Sequence, residues 1–306
     1  MKFSSLQLAA LLLLCASTAL SQDAHTQLVI LGAGTPIINP DRSGPSIAIV
    51  VNGSAYLVDF GPGVVRRAAA AARDKHITAL TPKSLKVAFA THLHSDHTAG
   101  LADLYLTPAV EGRPGALELY GPPGIAAMAR HIQAAYVKDV DIRVHGLEHG
   151  NAKAYHINAH EIHPGIVYKD TNVTVRAFAV AHGTWDFSYG YRFETADRSI
   201  VISGDTAPTQ AIARACHGCD LLVHEVYSTA WFQQRPPERQ KYHSTFHTST
   251  TALAEIANAA KPKQLVLYHQ LFRPQDESTV DAVLIDELRK AGYAGPVASA
   301  HDLDIF

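Results

Sequence analysis

The stretch Thr91-His92-Leu93-His94-Ser95-Asp96-His97-Thr98-Ala99-Gly100 decides how this chain is read. Three histidines and one aspartate fall within six residues, directly after an apolar run, Leu85 to Thr91, that reads as a strand. Side chains of an extended segment repeat every two residues, so His92 and His94 point the same way. Asp96 and His97 then fall where the chain turns into a helix. Such a turn aims four ligand side chains at two nearby points. Imidazole nitrogens with a carboxylate suit zinc, ahead of iron or manganese.

Working outward, three more positions recur in the same kind of place, just beyond an apolar strand. His182 follows Ala177 to Ala181, Asp205 follows Ile200 to Gly204, and His269 follows Leu265 to Tyr268. Each alone is a weak signal, since a single histidine at a strand end is more often structural. Taken together, His92, His94, Asp96, His97, His182, Asp205 and His269 make seven ligands. That is enough for two metals with an open position on each.

The rest of the chain agrees with a soluble enzyme. Of 306 residues, 47% are hydrophobic and 18% charged, which can bury a core and excludes general disorder. The formal charge of −2 gives no overall pull toward nucleic acid or an anionic membrane. Eighteen His against three Cys argues against a zinc finger, an iron–sulfur protein or a disulfide scaffold. Strands and helices alternate in two halves. The first half holds strands at Gln27–Leu31, Ser46–Val51 and Ala55–Phe60, the last two joined through Asn52-Gly53, and a helix at Val64–Lys75. The second holds strands at Val173–Val180, Tyr189–Glu194, Ser199–Ser203, Leu221–His224 and Gln264–His269. Helices there fall at Thr209–Ala215, Thr250–Ala260 and Thr279–Ala291. That order predicts sheets covered by helices. Gly146–His163 reads as a solvated connection and Trp231–Tyr242 as a surface loop or lid.

Residues 1–21 have the layout of a secretory signal peptide: Lys2, an apolar run from Leu6 to Ala16, and small residues at Ala19 and Ser21 before Gln22. Lipidation at Cys15 and a retained anchor are the competing readings. The expected mature hydrolase domain is therefore 22–306, periplasmic or secreted, with no stable membrane insertion. Cys216 and Cys219 fit either a disulfide or two small thiols in a tight turn.

With these residues in hand, the chain resembles the metallo-β-lactamase superfamily, and within it the ribonuclease Z-like branch, which also contains arylsulfatase-type hydrolases. The matching stretches include Leu31-Gly32-Ala33-Gly34-Thr35-Pro36, Asp59-Phe60-Gly61-Pro62-Gly63, the His92–His97 cluster, Gly190-Tyr191-Arg192-Phe193-Glu194, Ser203-Gly204-Asp205-Thr206, Leu222-Val223-His224-Glu225 and Leu267-Tyr268-His269. The resemblance implies an α/β fold, a four-layer αββα sandwich with the metal site at one edge. It implies that His92, His94 and His182 hold one zinc, Asp96, His97 and His269 the other, and that Asp205 bridges them. Two such cations acidify a shared water, which Asp96 orients. Asp59 is expected to hold a ligand imidazole. The resemblance also implies a catalytic histidine supported by a glutamate, Glu225. His243 and His247 both compete for that role, and His247 is chosen because it precedes the Thr250–Ala260 helix.

The expected function is an exported dinuclear zinc hydrolase of phosphodiesters or sulfate esters. A β-lactamase or lactonase of the same fold is the alternative, and a complete ligand set disfavours a non-enzymatic metal-binding module. The expected substrate is a small-molecule ester. Nucleic acid is not expected, given the leader, the near-neutral charge and the lack of a long Gly/Pro-rich arm. A homodimer is compatible with the resemblance.

Overall fold

The apolar runs read as strands do form them, and two sheets result in this computed structural model, which describes residues 25–272 and 277–306. The expected leader, Met1–Ser21 with Cys15, lies outside the described residues. The first sheet carries β1 (Gln27–Gly32), β2 (Ser46–Val51), β3 (Ser54–Val58), β4 (Val87–Phe89), β5 (Leu117–Gly121) and β6 (Ile157–Glu161) in that order. The second carries β7 (Gly165–Lys169), β8 (Thr174–Ala179), β9 (Tyr189–Glu194), β10 (Ser199–Ile202), β11 (Leu221–Val226), β12 (Gln264–Gln270) and β13 (Val297–Ser299), again in sequence order. Each sheet is antiparallel on one side and parallel on the other: β3 to β6 and β10 to β13 run parallel.

Burial on both faces explains why these strands read as continuous apolar runs rather than alternating ones. In β1, Leu28 and Ile30 face the opposing sheet, while Val29 and Leu31 pack outward. The inter-sheet layer joins Ile47, Ile49 and Phe89 to Tyr191, Phe193, Ile202 and Val266. Phe89 sits at its centre, with ring centroids 5.5 Å from Tyr191 and 5.7 Å from Phe193. Helices Val64–Asp74, Leu101–Val110 and Ile125–Ala135 cover the outer face of the first sheet. Helices Gln210–Cys216, Thr250–Ala260 and Val280–Lys290 cover that of the second. The layers are thus helix, sheet, sheet, helix, the αββα sandwich expected. Among the described residues no helix is long and apolar enough to cross a membrane.

Two sequence readings change. Gly146–His163 is not merely a connection, because Ile157–Glu161 forms β6, parallel to β5 at the sheet edge. Only Ile157 of its five residues is buried, so it lacks the apolar run of the central strands. Trp231–Tyr242 is not a loop: helices Thr229–Gln233 and Pro237–Phe246 occupy it. Pro237 at the first helical position, where its missing N–H costs nothing, was the available signal. Cys216 and Cys219 are joined as a disulfide at the end of helix Gln210–Cys216.

Candidate metal centre

The parallel strands all point their carboxyl ends at one edge of the sandwich, and the functional side chains follow those ends. His92, His94, Asp96 and His97 lie beyond β4, Asp205 beyond β10, and Glu225 near the end of β11. His182 lies beyond β8, an antiparallel strand that finishes at the same edge.

His269 needs a special device. Opposite β12, Glu225 pairs with Tyr268 and the next residue, Val226, pairs with Gln270. His269 is the extra residue of a β-bulge, at φ 45°. A bulge re-aims a side chain, and here it turns the imidazole toward the cluster. Gly204, at φ 60°, brings Asp205 in: a Cβ there would lie 2.9 Å from that of Thr91 and 2.7 Å from the carbonyl oxygen of Tyr189.

All seven predicted ligands meet. His94 Nδ1 lies 3.0 Å from His92 Nε2 and 3.1 Å from His182 Nε2. Asp96 Oδ2 is 3.2 Å from His269 Nε2 and 3.6 Å from His97 Nε2. Asp205 Oδ2 stands between the groups, 3.5 Å from His97 Nε2, 3.6 Å from His269 Nε2 and 4.0 Å from His92 Nε2. Two ligand groups result, His92–His94–His182–Asp205 and Asp96–His97–His269.

Surrounding bonds set which nitrogens face inward. Asp59 Oδ2 accepts from His97 Nδ1 at 2.8 Å, leaving the Nε2 lone pair for the cluster. Asp59 itself is held at φ 59° and accepts from the Thr91 amide at 2.8 Å. The Thr91 hydroxyl donates to Asp59, so its oxygen takes the proton of His92 Nδ1 at 3.0 Å. His182 Nδ1 donates to the Phe246 carbonyl at 2.8 Å. Sequence reasoning anticipated Asp59 but not Thr91 or the Phe246 carbonyl, which carry no motif of their own.

These lone pairs converge without enough protons to join them. Within the two ligand groups, His97 Nε2 and Asp205 Oδ1 are buried with no hydrogen-bond partner. Buried polar atoms left unpaired cost stability unless something else satisfies them. A divalent cation in each ligand group does so, and the nitrogen and carboxylate donors fit zinc.

His247 closes helix Pro237–Phe246 and sits two residues before Ser249, which caps Thr250–Ala260. Its Nδ1 is 3.5 Å from Glu225 Oε2 and 3.8 Å from Asp205 Oδ2. Burial, foremost, lowers its pKa to about 4. The same position makes His247 a possible ligand beside Asp205 and His269. Glu225 Oε1 accepts from the Thr248 amide at 2.7 Å, and burial, reinforced by Asp205, pushes its carboxyl well above the carboxylate range. His243 lies one turn back, its ring 6.1 Å from that of His247.

The aromatic and basic side chains nearby divide between the mouth of the cluster and the rest of the fold. Trp185 Nε1 donates to His94 Nε2 at 2.9 Å, at the mouth of the cluster. Tyr191 is core, its hydroxyl on the Ala90 carbonyl at 2.6 Å. Arg192 bonds the carbonyls of Ala215 and Cys216, away from the site. Phe187 stacks edge-on to His163.

Comparison with known proteins agrees with this geometry. Residues 55–270 match the β-lactamase superfamily domain. Ribonuclease Z of Mycobacterium bovis is 33% identical over 247 residues, covering 79% of this chain and 85% of that protein. In three dimensions the chain resembles the metallo-β-lactamase fold protein YhfI of Bacillus subtilis, with TM-score 0.69 and 16% identity over 93% of this chain and 99% of that one. The short form of human tRNase Z aligns with TM-score 0.64 and 21% identity, over 92% of this chain and 98% of the other. The chain belongs to the metallo-β-lactamase superfamily, in its ribonuclease Z-like branch, and is a metal-dependent hydrolase.

Proposed function

We propose that the chain hydrolyses phosphodiesters and related esters, sulfate esters included, with two zinc ions. His92, His94 and His182 would hold one ion, Asp96, His97 and His269 the other, with Asp205 shared. Two cations bound there supply Lewis acidity, polarising an ester oxygen and bringing the pKa of water toward neutrality.

The remaining work falls to the chain itself. Asp59 and Thr91 lock the imidazoles of His97 and His92 in the tautomers that face inward. Asp96, the most open of the carboxylates in the cluster, orients the attacking water. His247 passes a proton to the departing oxygen, and Glu225, whose raised pKa keeps its carboxyl protonated beside His247 Nδ1, replaces that proton. The observation that carries this reading is that pair, 3.5 Å apart against Asp205. An alkoxide leaving group needs a proton, whereas opening a strained lactam or lactone needs less help. Relatives named ribonuclease Z weigh in the same direction. They also weigh against the expectation that nucleic acid is an unlikely partner, so RNA stands beside small esters as a candidate substrate. Residues 1–21 remain, in this reading, a leader whose removal after Ser21 sends the mature domain to the periplasm or outside. Sequencing the N-terminus of the protein isolated from its native cells tests that.

The test of function is turnover by zinc-loaded protein on a phosphodiester, an aryl sulfate, a lactone, a cephalosporin and a short RNA. Phosphodiester or RNA cleavage should dominate. His247→Ala should keep its metals and lose roughly 10²–10⁴-fold on esters with poor leaving groups, and much less on nitrophenyl esters. Equal losses on both would remove His247 from the proton transfer, and dominant lactone or cephalosporin turnover would overturn the reading.

A further inference from the structure

A cavity of about 320 Å³ lies next to the cluster and contains none of its seven ligands. The loop between β1 and β2, the segment after β12 and helices Thr229–Gln233 and Pro237–Phe246 enclose it. Its described lining includes three arginines, Arg42, Arg235 and Arg239, and no aspartate or glutamate. Like charges gathered around one space are unfavourable by themselves and create a field that attracts an anion.

The same walls are aromatic. Arg235 lies 4.3 Å over the ring of Trp231, and Trp231 meets Phe272 edge-on at 6.4 Å. Arg42 is anchored through its hydrogen bond to the Gln270 carboxamide. Both ends of the cavity touch the catalytic region through the chain. Gln270 follows His269, and the His243 ring lies 5.2 Å from Trp231 and 6.1 Å from His247.

We infer that this cavity is a subsite for an aromatic group bearing a phosphate, nucleotide-like in chemistry, belonging to the ester cleaved at the cluster. The inference rests on the phosphodiester reading above. Guanidinium groups bind phosphate oxygens in pairs, and a planar base stacks on an indole. The volume lies at the small end of ligand sites, so it takes one nucleotide and not a duplex. Arginine stays charged at any working pH, so the attraction does not switch off as histidines titrate.

Calorimetric titration of the full chain, zinc-loaded and again after chelation, tests this with adenosine 5′-monophosphate, adenosine and inorganic phosphate as probes. The nucleotide should bind in both states, and each fragment at least about tenfold more weakly. Arg235→Ala/Arg239→Ala should weaken the nucleotide by at least about tenfold while zinc content stays at the wild-type level. Trp231→Ala should weaken the nucleotide similarly but leave inorganic phosphate unchanged. In turnover of a dinucleotide, the arginine double variant should raise KM and spare kcat. Nucleotide affinity that vanishes on chelation, or that neither variant alters, overturns the subsite. Nucleotide binding by a protein that cleaves no phosphodiester would instead overturn the proposed function and leave the subsite standing.

Discussion

Arg113 and the seven-residue cluster both place ionisable groups in the interior, and they do so in opposite ways. Arg113 is fully buried between helix Leu101–Val110 and the first sheet. Its guanidinium donates to the carbonyls of Gly115 at 3.1 Å, Leu104 at 3.0 Å, Tyr105 at 3.0 Å and Ala154 at 2.7 Å. Burial lowers its pKa only to about 10, so it remains a cation at neutral pH. Each of its three nitrogens donates to the backbone, and it serves as a clamp. In the cluster, lone pairs face lone pairs and several buried atoms have no partner. Burial of a polar group is therefore a poor marker of function in this molecule. What separates the two regions is whether the protein itself completes the hydrogen bonding.

Asp205 offers the hardest test of that contrast. Asp205→Asn should cut turnover by about 10³-fold or more, since a cation's contribution to the transition state is worth several kcal/mol. Its metal-free thermal midpoint should scarcely move. A variant that retains two metals and full turnover would place Asp205 with the structural groups.

Arg113→Met should behave in reverse. It strands four carbonyls and should cost about 3 kcal/mol of stability in denaturant unfolding. Metal affinity and turnover of the folded fraction should be unchanged. Equal stability would mean that the carbonyls find other partners and that the clamp is redundant.

Asp59 stands between the two kinds of group, because it is well bonded and yet serves the site. Asp59→Asn should weaken metal binding by about 10–100-fold, the usual effect of removing a carboxylate behind a ligand histidine. A metal competition titration reads this directly. An unaltered affinity would show that the tautomer of His97 is set by something else.

The smallest effect belongs to Asp170, whose carboxylate joins the Tyr56 hydroxyl at 2.6 Å, the Tyr168 hydroxyl at 3.0 Å and the amides of Asn172 and Val173. Burial opposes its charge, but the Tyr56 bond and those amides outweigh it and lower its pKa. A carboxyl with a lowered folded value stabilises above its unfolded pKa, about 3.9, and loses that contribution as pH falls through the folded value. Asp170→Asn should therefore be less stable than the parent near pH 6, and the gap should close at lower pH. A gap that persists undiminished in acid would assign the effect to shape, not charge.

Much of this arrangement was legible beforehand, and the misses share a cause. The ligand run from His92 to His97 is local, so spacing alone marked it. The Asn52-Gly53 turn between β2 and β3 was local too. By contrast, Ile157–Glu161 becomes a strand only because β5 offers it an edge, and its own composition is mixed. The final segment, residues 292–306, carries no apolar run of strand length. It supplies β13 and returns beside β1, where Leu28 and Phe306 exchange backbone hydrogen bonds. Such pairings depend on chain brought from far away, which no local pattern records. The helix at Pro237–Phe246 was hidden for another reason: it buries none of its residues, so it has no apolar face to read.

The sequence by itself determined the fold class, the seven candidate ligands and the identity of the supporting aspartate. Apolar runs of strand length and ligand spacing are both written in neighbouring residues. Tertiary structure alone decided that Asp96 meets His269 across 173 positions, that a bulge turns His269 inward, and that three arginines surround one aromatic cavity. Those outcomes require two sheets packed face to face with their parallel halves ending at one edge. The position of each side chain there is set by residues that are neighbours in space and strangers in sequence.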